Sequence, residues 1–131
     1  MDLYFSISEF IKSDKAILNN INNMPDINSL DNLLNLIYFC LQPIRYYIKK
    51  PIIITSGFRC HKLNSLINGK CNSQHTIGQA ADFYIKGISV CETIKLILKS
   101  GVEFDQLINE YDRWVHISYA RNKNRHQVLK Y

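Results

Sequence analysis

Two half-alternating runs, FDQLINEY and RWVHISYA, meet around Asp112 with almost no chain between them. Parallel strands need a crossover of about a dozen residues or more, so a link this short allows only an antiparallel hairpin. Whatever else the chain folds into must pack on that hairpin. Side chains alternate faces along a strand. Trp114, His116 and Ser118 therefore share one face, and Val115, Ile117 and Tyr119 the other. The apolar set belongs to the core, which leaves His116 in a groove lined partly by Trp114. In the first run Gln106, Ile108 and Glu110 share parity, and a tight hairpin brings Glu110 opposite or diagonal to His116.

The preceding chain supplies the covering elements. Helical spacing runs through ISEFIKSDKAI, with Glu9 just after Ser8, and residues 13–29 read as a polar break around MPDINS. SLDNLLNLIYFCLQPIRYYIKK sets Leu30, Leu33, Leu34, Ile37, Tyr38 and Leu41 on one helical face, with Ser29 or Asp31 as its cap. Pro43 is expected to kink that helix or end it early. The β-branched run from Ile52 to Thr55, between Pro51 and Gly57, reads as a buried strand. CHKLNSLING is a helix stopping at Asn68-Gly69, and AADFYIK is a second strand ended by Gly87. SVCETIKLILKSG is a helix with Ser89 as N-cap, Glu92 completing a capping box and Gly101 as the stop. The fold class is α+β: a small, largely antiparallel sheet flanked by helices, in one domain over residues 1–131.

No run of about 18 apolar residues occurs, so no membrane span is expected. The N-terminus lacks the pattern of a secretory signal, which points to synthesis in a cytoplasm. The four cysteines are widely spaced, without a CxxC pair, and read as reduced, buried small hydrophobes. The net charge of +5 favours an acidic partner. Its densest patches, Lys49-Lys50 and RNKNRHQVLKY at residues 121–131, read as solvated face and tail. No nucleic-acid-binding module is present, so specific nucleic-acid binding is not expected.

In NSQHTIGQAADFYI, residues 72–85, His75 precedes Asp82 by seven positions, with a tight turn at Gly78 and small Ala80 and Ala81 between. His75, Asp82 and His116 make a two-nitrogen, one-oxygen donor set. Zinc accepts such a set and keeps a fourth position for water. Glu110, outside that set, is placed to take a proton. Arg59, just past the first strand, suits a substrate carboxylate or a carbonyl oxygen turning anionic. Ser73 and Gln74 are positioned to hydrogen-bond a peptide, beside Trp114. A rival set, Cys60, His61, Cys71 and His75, leaves Asp82, Glu110 and His116 without a role.

Ser56-Gly57-Phe58-Arg59, the SxHxxGxAxD pattern from Ser73 to Asp82, and Trp114-Val115-His116 occur in that order. In this the chain resembles the zinc D-alanyl-D-alanine carboxypeptidase and L-alanyl-D-glutamate endopeptidase family, whose fold hedgehog signalling domains share. YFSISEFIKSD at residues 4–14 is similar to the start of its short phage-type branch, so the resemblance covers nearly the whole chain. It implies zinc on His75, Asp82 and His116, with Arg59 contacting substrate or oxyanion. Many members carry the catalytic base three residues before the last histidine, where this chain has Arg113, which cannot serve. Glu110, six before, matches the hedgehog-like spacing, and Asp112 at the hairpin tip is the other acid in reach. The implied substrate is the stem peptide of bacterial peptidoglycan, cut by a monomeric, phage-encoded lysis or wall-penetration enzyme after release or as part of the virion. The alternative is a hedgehog-like, non-catalytic, zinc-stabilised wall-binding domain, which needs neither Glu110 nor Arg59.

Overall fold

The computed structural model describes residues 3–131, and among them the elements follow the α+β plan. A five-stranded sheet has the order β1 (Ile53–Ser56), β2 (Ala80–Tyr84), β4 (Trp114–Ser118), β3 (Gln106–Glu110) and β5 (Gln127–Lys130). Its neighbours pair antiparallel except β3 with β5, which run parallel. Ala81, Phe83, Leu107, Val115 and Ile117 point into the core, which α3 (Ile27–Leu36), α4 (Gln42–Ile48) and α6 (Val90–Ser100) cover. The opposite face carries Asp82, His116 and Glu110. Ser89 and Gly101 cap α6 as expected, with Ser89 Oγ accepting the Glu92 N–H and Gly101 at φ 74°.

The N-terminal helical stretch is two short helices, α1 (Ser8–Ile11) and α2 (Asp14–Leu18), rather than one. Ser13 separates them, because its hydroxyl accepts the Ala16 N–H and restarts the helix inside the segment expected to be a polar break. Asp26, not Ser29 or Asp31, caps α3 by accepting the Ser29 N–H at 2.7 Å. Pro43 does not end the helix. The backbone widens into a π turn over Ile37–Leu41, with the Gln42 N–H reaching five residues back to Ile37 O, and α4 continues to Ile48. A π turn relieves the clash a proline ring meets inside an α-helix. The buried stripe is Leu33, Leu36, Ile37, Cys40, Leu41 and Ile44, whereas Leu34 and Tyr38, expected on that face, are exposed.

The 121–131 segment is not a free tail: Gln127–Lys130 forms β5 beside β3. The cysteines are free thiols, but only Cys40 is fully buried, while Cys71 and Cys91 are exposed. Burial pushes the Cys40 thiol far above its usual range.

Two glycines show why the motifs require them. At Gly57 a Cβ would stand 2.4 Å from Phe10 O, where α1 crosses the end of β1 and the Phe58 N–H bonds to the same oxygen. At Gly78, φ is +77° and a Cβ would stand 2.2 Å from Ser29 O on α3. Backbone cannot give way as a flexible side chain does. Gly57→Ala is expected to lower unfolding free energy by about 3 kcal/mol, read as a drop in denaturant midpoint at unchanged slope.

Candidate metal centre

Residues from three segments meet on the open face of the sheet. Asp82 on β2 and His116 on β4 are register partners. His75 comes from a 3-10 turn, Gln74–Ile77, that Ser73 caps by accepting the His75 N–H. His75 Nε2 lies 3.3 Å from Asp82 Oδ1, and His116 Nδ1 lies 2.9 Å from the same oxygen. The two rings meet edge to face, with centroids 5.2 Å apart. One donor atom from each residue falls within 4.8 Å of the others. Donors around one zinc at about 2.0–2.2 Å stand roughly 3.4 Å apart, so the cluster fits such an ion with little movement.

The tautomer also suits a metal. His75 Nδ1 is 2.7 Å from Gly57 O, and a carbonyl only accepts, so Nδ1 carries the proton and Nε2 keeps its lone pair toward Asp82. His75 is 2 % exposed, so this ring is held rather than sampled. Burial works against the charge of Asp82. The hydrogen bond from His116, and one from His75 whenever that ring carries a second proton, outweigh it and hold the carboxyl well below the usual carboxylate range. The donor oxygen is thus ionised at any working pH.

The cluster opens into a groove of about 860 Å³, bordered also by Arg59, Ser73, Gln74, Glu110 and Trp114. Glu110 pairs with Trp114 in the β3–β4 register, which puts it diagonal to His116 on the donor face. Burial raises its carboxyl above the ordinary value, against the pull of His116. Asp112 is engaged elsewhere: its Oδ1 accepts from buried Asn109 Nδ2 at 2.8 Å, and its N–H donates to Asn109 Oδ1 at 2.8 Å. Those bonds hold a tight turn in which Tyr111 and Asp112 both sit at φ 57° and the Arg113 N–H reaches Glu110 O. This is the type I′ geometry that matches strand twist, here without the usual glycine or asparagine at its centre.

Arg59 is half-buried, its Nη2 3.4 Å from Ser73 Oγ, and its buried Nε meets no acceptor among the described residues. Burial lowers its pKa, with Asp82 opposing. Gln74 borders the groove, but its amide N–H groups are taken by Asp105 Oδ2 at 2.9 Å and Gln79 Oε1 at 3.0 Å. Tyr111, Lys70, Arg125 and Tyr131 also border the groove, and none of them lies in a sequence motif. Of the rival set, Cys60 Sγ instead caps α5 (His61–Leu66), accepting the Leu63 N–H. Among the described residues His75, Asp82 and His116 are the one group with donor atoms gathered for a metal.

Two imidazoles and an ionised carboxylate on one point, open to a groove with a second carboxylate beside it, make a donor set that could hold a divalent metal ion such as zinc. The family model described as Peptidase M15 matches residues 3–118, and the chain belongs to that family, the zinc D-Ala-D-Ala carboxypeptidase family of metallopeptidases. None of the curated proteins compared with the chain matches it. Among the described residues no helix is long and apolar enough to cross a membrane.

Proposed function

We propose that residues 1–131 form one zinc peptidase domain that hydrolyses a peptide bond in the stem of bacterial peptidoglycan. The convergence of His75 Nε2, His116 Nδ1 and Asp82 Oδ1 at the floor of a groove carries this reading. His75, Asp82 and His116 hold the ion. When bound, zinc supplies Lewis acidity toward the scissile carbonyl and a water acidified to near neutrality.

The remaining work belongs to the chain's own side chains. Glu110 takes the proton of the attacking water at its carboxylate and delivers it to the leaving amine. Burial raises its pKa, which makes it a stronger base than an exposed glutamate. Arg59 offers its guanidinium to the carbonyl oxygen as charge builds there, or to a substrate carboxylate, and the unpartnered Nε supports that role. Trp114 stands beside Glu110 as its register partner and forms part of the groove wall, and Ser73 steadies Arg59. With Gln74 occupied by Asp105 and Gln79, only its Oε1 is left to accept from a peptide N–H.

The bond cut is either the terminal D-Ala-D-Ala link or an internal L-Ala-D-Glu-type link. The setting is that of a monomeric phage protein, made in the host cytoplasm, acting in lysis or wall penetration. Purified peptidoglycan digested with zinc-loaded protein and analysed by mass spectrometry tests this. New free amino and carboxyl ends in the stem, absent after chelation, are expected; an unchanged wall overturns the reading. Arg59→Ala is expected to lower kcat/KM by about 10²–10³-fold with zinc content retained, measured on soluble stem peptides.

A further inference from the structure

The turn that carries His75 is tied down on two sides. On the β1 side, Gly57 O takes the His75 ring proton and the Arg59 N–H bonds to His75 O at 3.0 Å. On the other side the tie runs through a buried acid just before β3. Asp105 is 2 % exposed, and each of its oxygens is used twice. Oδ1 accepts from the Arg125 N–H at 2.8 Å and from Arg125 Nε at 2.9 Å. Oδ2 accepts from Arg125 Nη2 at 2.8 Å and from Gln74 Nε2 at 2.9 Å. Gln74 is the first residue of the His75 turn, and Arg125 precedes β5 in a segment past residue 118, where the family match ends.

We propose that Asp105 is a positioning residue that couples the C-terminal strand to the metal centre: Arg125 fixes Asp105, and Asp105 fixes the His75 turn through Gln74. This rests on the metal-site reading above. A paired, bidentate Arg–carboxylate contact has one geometry, so its second acceptor direction is set as well. Gln74 is held at that direction, with Gln79 Oε1 as its other acceptor, and the turn cannot pivot about its Gly57 contact. Groups that hold a metal ligand in place commonly change metal affinity by about 10–100-fold. The Asp105 side chain does not line the groove and reaches the His75 turn through Gln74, while its N–H bonds to Ser118 O on β4 at 2.8 Å.

Zinc affinity by competition with a chromogenic chelator, with thermal unfolding of the metal-free protein, tests the idea on the full chain. Gln74→Met and Asp105→Asn are each expected to raise the zinc dissociation constant by about 10–100-fold while still unfolding cooperatively. Arg125→Ala should do the same, and Arg125→Lys should recover part of the loss, because a lysine restores the charge but not the fork. Zinc affinity within twofold of wild type in the folded variants overturns the inference and leaves the metal-site reading standing. Should Arg125→Ala fail to fold, Gln74→Met decides alone, since it leaves the Asp105–Arg125 pair whole. Failure of the wild-type protein to bind zinc overturns both readings.

Discussion

Glu110→Gln leaves zinc uptake and thermal stability unchanged and lowers peptidoglycan hydrolysis by about 10²–10⁴-fold. The substitution keeps the size and reach of the side chain on β3 and removes its capacity to accept a proton. Glu110 is half-buried beside Trp114, and its side chain makes no hydrogen bond among the described residues, which is why stability is spared. The pH profile carries the same signature. Burial raises the Glu110 carboxyl above its ordinary 4.5, so the acid limb of kcat/KM lies above that value: activity is lost as pH falls through the raised pKa and returns as pH rises. In Glu110→Gln that limb disappears. A wall-binding domain without catalysis would show none of this, so unchanged behaviour of the variant sinks the enzyme reading. Asp112→Asn is the contrasting control, because its carboxylate serves the turn through Asn109 rather than the groove.

His75→Ala abolishes zinc binding at concentrations that saturate the wild type, and hydrolysis with it. The loss exceeds the roughly 100-fold typical of disturbing a partner one step from a metal, because a donor itself is gone. Three consequences coincide at this residue: Nε2 leaves the cluster, Gly57 O loses its 2.7 Å donor, and a buried ring leaves a hole. The metal-free variant is therefore also less stable than the metal-free wild type, by about 2–3 kcal/mol. Metal analysis of dialysed protein and chemical denaturation with chelator present separate the two effects. Zinc retained at one equivalent by the folded variant would remove His75 from the donor set.

The donor cluster was legible because each member sits in a pattern whose geometry is local. Period two fixed the face of His116 and Glu110 from the hairpin alone, and the structure puts both on the groove side. Asp82 needed one further assumption, that β2 lies beside β4, which no local pattern states. What escaped depends on contacts distant in sequence. QVLK is four residues flanked by basic and polar ones, too short to show a period, and it becomes a strand only because β3 offers a free edge. Asp105 reads as an ordinary acid before a strand until Arg125 and Gln74 close on it. The π turn is a response to Pro43 under a tightly packed stripe, and sequence period alone put Leu34 and Tyr38 on the wrong side of it.

The left-handed pair at the hairpin tip bears on how this chain would respond to directed evolution. A non-glycine residue held there stores about 1 kcal/mol or more of backbone strain, and Tyr111 and Asp112 hold it side by side. Selection for heat resistance alone would drift toward an Asn-Gly tip and bring its gain from that relaxation. Tyr111 also borders the groove, and its ring sits 6.3 Å from that of Tyr131. A variant library ranked by melting point would therefore discard an aromatic rim that a library ranked by turnover would keep.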